Sequence, residues 1–138
     1  MLFGGKGTGT PAGDFALLVT RIFMGAALAF THGMMKLPPK DSFVQGVGHL
    51  GFPAPVMFSY LAGLAEFGGG LLLVLGLLTR PAALFVSFTM CVAAFGQAAG
   101  QPFPKKELPL LYLCLALIYL VVGAGRFSLD NVLGGKGK

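Results

Sequence analysis

Charge is what this sequence has least of. Of 138 residues only 11% are charged, ten of them Lys or Arg and five Asp or Glu. A soluble domain carries about 25%, and together with 55% hydrophobic residues and a mean hydropathy of +0.80 this composition excludes an ordinary water-soluble core. Cysteine is scarce as well. Cys91 and Cys114 both lie in apolar segments, with no CxxC pair and no metal-ligand spacing. They read as small hydrophobic side chains rather than redox thiols. There is no CxxCH haem attachment, no glycine-rich phosphate loop and no nucleophile motif. His32 beside Met34 and Met35 cannot converge on one copper ion from a single helix, so no metal is expected. The net charge of +5 comes without a dense basic run interleaved with aromatics, which points to lipid headgroups rather than nucleic acid.

What is present is four apolar runs, each of a length that can cross a hydrocarbon core about 30 Å thick. The expected fold is all-α, a transmembrane four-helix bundle with both termini on the same side. Span one is expected over Phe15–Met35, ending where Lys36-Leu37-Pro38-Pro39-Lys40 breaks the helix. Span two follows over the run Ala54–Leu78, with Pro55 in its first turn. Spans three and four are expected near Ala82–Ala99 and Leu108–Gly125. The short link Thr79-Arg80-Pro81 makes spans two and three an antiparallel hairpin, and the segment between spans one and two suits an interfacial, amphipathic turn. Residues 1–13 and 134–138 are expected to be flexible tails around a domain at 14–133. Arg21 inside the first apolar run argues against a cleaved signal peptide. Lys and Arg counts on the two sides favour cytoplasmic termini in a plasma (inner) membrane by a narrow margin.

Glu66 is the informative residue. An ionised group at membrane depth costs on the order of 3 kcal/mol and is seldom left without a partner or a task. It shares a helical stripe with Ala62, Gly69, Leu73 and Gly76, a small-residue face that admits a neighbouring helix. Span one carries Arg21, Gly25, Leu28 and His32 on one stripe. Packing these faces together would gather Glu66, His32 and Arg21 into one polar intramembrane cluster. At about 1.5 Å per residue, Arg21 lies about 9 Å deep, Glu66 about 18 Å and His32 about 25 Å. Side-chain tilt toward the helix N-terminus favours His32 as partner, with Arg21 as rival. Such a cluster is either a structural polar lock or a proton-handling or quinone headgroup site. Gly25, Gly69, Gly70 and Gly76 are the expected helix-packing glycines. Lys36, Arg80, Arg126 and Asp130 are expected at the interfaces, with Lys36 and Arg80 snorkelling. Tyr112 fits an interfacial belt, whereas the deeper Tyr119 needs a hydrogen-bond partner.

Several pieces in order make a recognisable pattern. They are Arg21-x3-Gly25, Gly33-x2-Lys36-Leu37, Gly51-Phe52-Pro53, Glu66-x2-Gly69-Gly70, Leu75-Gly76-Leu77-Leu78-Thr79-Arg80, and Gly123-Ala124-Gly125-Arg126-Phe127-Ser128-Leu129-Asp130. Together they resemble the DoxX family of small four-helix membrane proteins, over about residues 14–133. The resemblance implies association with redox complexes: relatives include a subunit of thiosulfate:quinone oxidoreductase and a member that joins a thiol-handling enzyme to superoxide dismutase. Arg21, Gly25, Lys36, Glu66, Gly69, Arg80 and Asp130 match the family pattern. The expected role is an accessory, structural membrane subunit of a redox or electron-transfer complex, not catalytic on its own, with no cofactor bound directly and a larger membrane complex as partner. One alternative is a quinone-interacting or proton-handling subunit, with a pocket open to lipid between spans one and two. A transporter or scramblase-like homo-oligomer is the other.

Overall fold

In the computed structural model, residues 7–134 are described, and they form six helices joined by short connections. The first, α1, runs Pro11–Lys36 without a break. Thr10 opens it by accepting from Gly13 N at 3.2 Å, and Pro11 fills the first position, where no N–H is needed. It is α-helical to Ala26, winds as a π-helix over Ala27–Gly33 and tightens to a 3₁₀ turn at Met34–Lys36. The start at Pro11 lies inside the stretch expected to be a tail. Thr8 N and Oγ1 donate to the buried Asp14 carboxylate at 2.7 and 3.2 Å, which ties that entry down. The outermost parts of both expected tails fall outside the described residues.

The segment expected at the interface contains a nine-residue helix, α2 (Asp41–His49). Helix α3 (Pro55–Leu75) follows, with Pro55 in its first turn as expected. It stops three residues earlier than the apolar run, because Gly76 takes a left-handed conformation at φ +65° that ends the helix. Thr79-Arg80-Pro81, expected as a link, instead forms the first turn of α4 (Thr79–Gln97), which also finishes in a π-helical segment, Val92–Gln97. Helix α5 (Phe103–Val122) and the short α6 (Leu129–Gly134) complete the chain.

Helices α1, α3 and α4 are each long and apolar enough to cross a membrane. Helix α5 has the length, 20 residues, but carries Lys105, Lys106 and Glu107 near its start. Helix α3 packs against both α1 and α4, and α4 against α5. Met24 and Leu28 of α1, Leu73 of α3, Val86 and Met90 of α4, and Leu113, Ala116 and Tyr119 of α5 meet in the centre. Outward positions are equally apolar: Phe23, Phe30, Leu64, Phe85, Phe95 and Val121 are all exposed. A soluble monomer rarely presents such a surface, whereas lipid tails solvate it at no cost. Cys91 and Cys114 are on this outer surface.

Candidate functional site

Glycine brings α1 and α3 together. A methyl added at Gly25 would sit 2.5 Å from Gly70 O, and one at Gly70 would sit 2.6 Å from Gly25 O, so each residue occupies the other's space. About two turns further along α1, a Cβ on Gly33 would collide with the Phe67 backbone. Gly69 faces α4, where a Cβ would lie 3.1 Å from Val86 Cγ2. Gly25, Gly69 and Gly70 thus stand at helix contacts, the close approach that small residues allow. Gly76 does not belong to a helix face; it makes the α3–α4 turn, against the Arg21 guanidinium.

This contact gives Glu66 its partner. Lys36 Nζ donates to Glu66 Oε1 at 2.6 Å, with Glu66 itself 1% exposed. The expected partners, His32 and Arg21, are both elsewhere. His32 lies edge-on to the Tyr112 ring, with centroids 5.6 Å apart. Arg21 donates to Ala124 O at 2.9 Å and to Phe127 O at 2.7 Å. The stripe joining Arg21 to His32 assumes about 3.6 residues per turn throughout. The π-helical stretch Ala27–Gly33 turns each residue through a smaller angle, so His32 falls off the projected stripe. The helix also continues to Lys36, whose ammonium reaches Glu66 while its side chain stays partly exposed. Lys36 Nζ additionally sits 5.2 Å from the centre of the Phe43 ring on α2.

The pair lines a cavity of about 220 Å³ between α3 and α4, covered by α2. Phe43 and Val47 come from α2, Phe58, Leu61 and Ala65 from α3, and Phe85, Phe88, Thr89 and Val92 from α4; Phe52 and Gln97 complete the wall. Its place differs from the expected one, between spans one and two, because Gly25, Gly33 and Gly70 close that interface. Phe85 and Phe88 are largely exposed on the outer face, so the cavity borders the lipid side of α4. Glu66 Oε2 is buried without a hydrogen-bond partner among the described residues.

A second polar cluster lies around the middle of α1. Arg21, 1% exposed, is separated from Lys36 by fifteen positions, or about 22 Å of helix. Asp130, expected at an interface, is 3% exposed and caps α4: Oδ1 accepts from Leu78 N at 2.8 Å and Oδ2 from Thr79 N at 2.9 Å. Its own N–H donates to Gly76 O at 2.8 Å. Arg80 is half-buried, and its Nη2 donates to Val121 O at 3.1 Å near the end of α5. Arg126 is exposed. Tyr119 finds the partner it needs across the bundle, with its hydroxyl 2.5 Å from Thr20 Oγ1 and donating to Leu17 O at 3.1 Å. Tyr112 is buried rather than in an interfacial belt.

Residues 16–98 match the family model for DoxX. The chain belongs to the DoxX family. The match runs from within α1 through the end of α4, and so includes Lys36, Glu66 and the whole cavity. The chain is 39% identical to an uncharacterized protein of Haemophilus influenzae over 77% of this chain and 82% of that one. It is 32% identical to the "Inner membrane protein YqjF" of Escherichia coli, over 89% of this chain and 95% of the relative. A Bacillus subtilis protein named "Putative oxidoreductase CatD" is 26% identical over 91% of each chain. No solved structure matches. With relatives named as inner membrane proteins and three helices fit to cross a bilayer, this is a DoxX-family membrane protein.

Proposed function

We propose that this DoxX protein is an inner-membrane subunit of an oxidoreductase assembly, and that it contributes a binding pocket for the headgroup of a membrane quinone. It crosses the bilayer four times, with α5 as the fourth span and both termini cytoplasmic. The packing of α5 along α4 and its exposed Leu111, Leu117 and Val121 support the fourth crossing. Its three charged residues near the start then lie at the membrane surface, where Lys side chains can reach water.

The observation that carries the ligand reading is the Lys36–Glu66 pair on the wall of an aromatic cavity beside the lipid phase. An intramembrane ion pair marks a functional site by default, and a mostly apolar pocket with a few converging polar groups is the usual form of a small-molecule site. An amphiphile with a planar polar head suits both features. The redox side of the reading rests on the family resemblance and on the relative named as an oxidoreductase.

The competing reading is an accessory subunit in which the pair is only a lock between α1 and α3. It draws on the near-complete burial of Glu66 and the reciprocal fit of Gly25 and Gly70. Gentle-detergent purification with copurifying chains retained, followed by Glu66→Gln, separates the two. The pocket reading expects the assembly to form and its quinone-dependent turnover to fall at least tenfold. Unchanged turnover in an intact assembly leaves the lock alone.

A further inference from the structure

Helix α2 covers the cavity, yet little ties it to the rest of the bundle. Among the described residues, no hydrogen bond or ion pair joins residues 41–50 to another helix. Helix α2 packs chiefly on α3, and of its nine residues only Val47 is buried. Gly46 and Gly48 lie within it, no side chain caps its start, and a helix this short is marginal without packing. Toward α4 the fit is open. A surface groove of about 490 Å³ lies between α2 and the end of α4, lined by Ser42, Gly46, His49, Leu50 and Gly96. Phe43 and Gln97 line both this groove and the cavity, so they stand at the boundary between the two. The Phe43 ring lies 5.2 Å from the Lys36 ammonium, within range of cation–ring attraction.

We infer that α2 is a flap over the cavity, hinged on its α3 side and latched by Phe43 against Lys36, and that its opening joins the cavity to the groove as the way in for a ligand. This stands on how α2 is attached and not on what the cavity binds, so it goes beyond the quinone reading. The link to α3 supplies the hinge. Gly51 turns it in a left-handed conformation at φ +84°, and just beyond, Phe52 is fixed to α3 by its ring contact with Phe58, centroids 5.0 Å apart. On the other side, Leu50 lies against Gly96, where an added Cβ would sit 3.3 Å from Leu50 Cδ2. Opening therefore gives up the Phe43–Lys36 contact, the burial of Val47 and the touch of Leu50 on α4. An element with so few buried contacts opens at a small fraction of the free energy that unfolds the core. The opened path runs past Ser42, His49 and Gln97, the polar residues of the groove.

The test uses the full chain in lipid nanodiscs. By hydrogen exchange, the amides of residues 45–50 are expected to exchange at least about a hundredfold faster than those of residues 66–73 in α3. Phe43→Leu keeps apolar bulk but removes the ring under the ammonium, a contact worth about two- to thirtyfold. It is expected to speed exchange in α2 by about threefold or more and to leave α3 unchanged. Access to the cavity is read with Cys91 and Cys114 replaced by Ala and Ala65→Cys placing the sole thiol in the cavity wall. A charged methanethiosulfonate is expected to label that thiol, and Phe43→Leu to speed labelling by the same factor as it speeds α2 exchange. Exchange in α2 as slow as in α3 overturns the flap, and so does faster exchange without faster labelling. A thiol that reacts with a lipid-soluble maleimide but not with the charged reagent also overturns it, and makes lipid the way in. If Phe43→Leu does not fold, the exchange and labelling comparisons with Phe43 in place decide. Failure of a quinone to bind, with both results as expected, removes the quinone reading and leaves the flap.

Discussion

Lys36 Nζ lies 2.6 Å from Glu66 Oε1, a contact across the α1–α3 interface between residues thirty apart in sequence. Lys36 is partly exposed and Glu66 is not, so the pair joins the cavity to the buried side of α3. Everything proposed for the pocket depends on that pair, and so does part of the stability of the bundle.

Removing one partner strands the other. Lys36→Met leaves the Glu66 carboxylate buried and uncompensated, a loss toward the low end of about 3–5 kcal/mol because Lys36 itself is partly exposed. Lys36→Met with Glu66→Gln together is expected to recover most of that loss. Thermal unfolding of the purified variants in detergent reads both, and a double variant no more stable than Lys36→Met would contradict a buried pair.

The α1–α3 contact is sterically filled at Gly70 and open at Gly68, where an added methyl meets nothing within 4 Å. Gly70→Ala is expected to destabilise by about 1–3 kcal/mol through overpacking. Gly68→Ala on the same helix should instead be neutral or stabilising by up to about 1 kcal/mol, since Ala is the better helix former. Equal melting temperatures for the two variants would show that the glycines do not set the helix spacing.

Asp130 joins the C-terminal segment to the α3–α4 turn. Asp130→Ala exposes the Leu78 and Thr79 amides as orphans at a helix start, costing about 1–2 kcal/mol. Asp130→Asn keeps one acceptor and should fall between. Hydrogen exchange at Leu78 and Thr79 is the direct readout, and both amides are expected to lose protection in Asp130→Ala while the centre of α4 keeps it.

Cys91 and Cys114 report on what surrounds α4 and α5. Both are exposed on the outer face. In native membranes they are expected to react with a lipid-soluble maleimide and to resist a charged, membrane-impermeant one until the protein is denatured. Rapid labelling of Cys114 by the charged reagent would remove α5 from the bilayer.

Much of the fold was legible because apolar run lengths and proline and glycine positions act locally. Pro55 starts a helix, and Glu66 does sit on a small-residue face between helices. Three features were hidden for physical reasons. The partner of Glu66 depended on π-helical winding between Ala27 and Gly33, which leaves no mark in a 3.6-residue periodicity. The cap on α4 comes from a side chain some fifty residues away, so Asp130 looked like one more terminal charge. Asp14 is similar: its burial rests on a turn at Thr8 that composition alone reads as a loose tail. The cavity was misplaced because glycines that allow helices to approach also leave no room between them.

The most direct test is to find where a membrane quinone touches this protein. A photoreactive quinone analogue, activated in membranes containing the chain, is expected to label peptides of α3 and α4 that carry Phe58, Leu61, Phe85 and Phe88. Unlabelled quinone should compete that labelling away, and Glu66→Gln should weaken it. Adducts confined to the outward faces of α1 and α5, or labelling that excess quinone does not displace, would contradict a quinone site between α3 and α4.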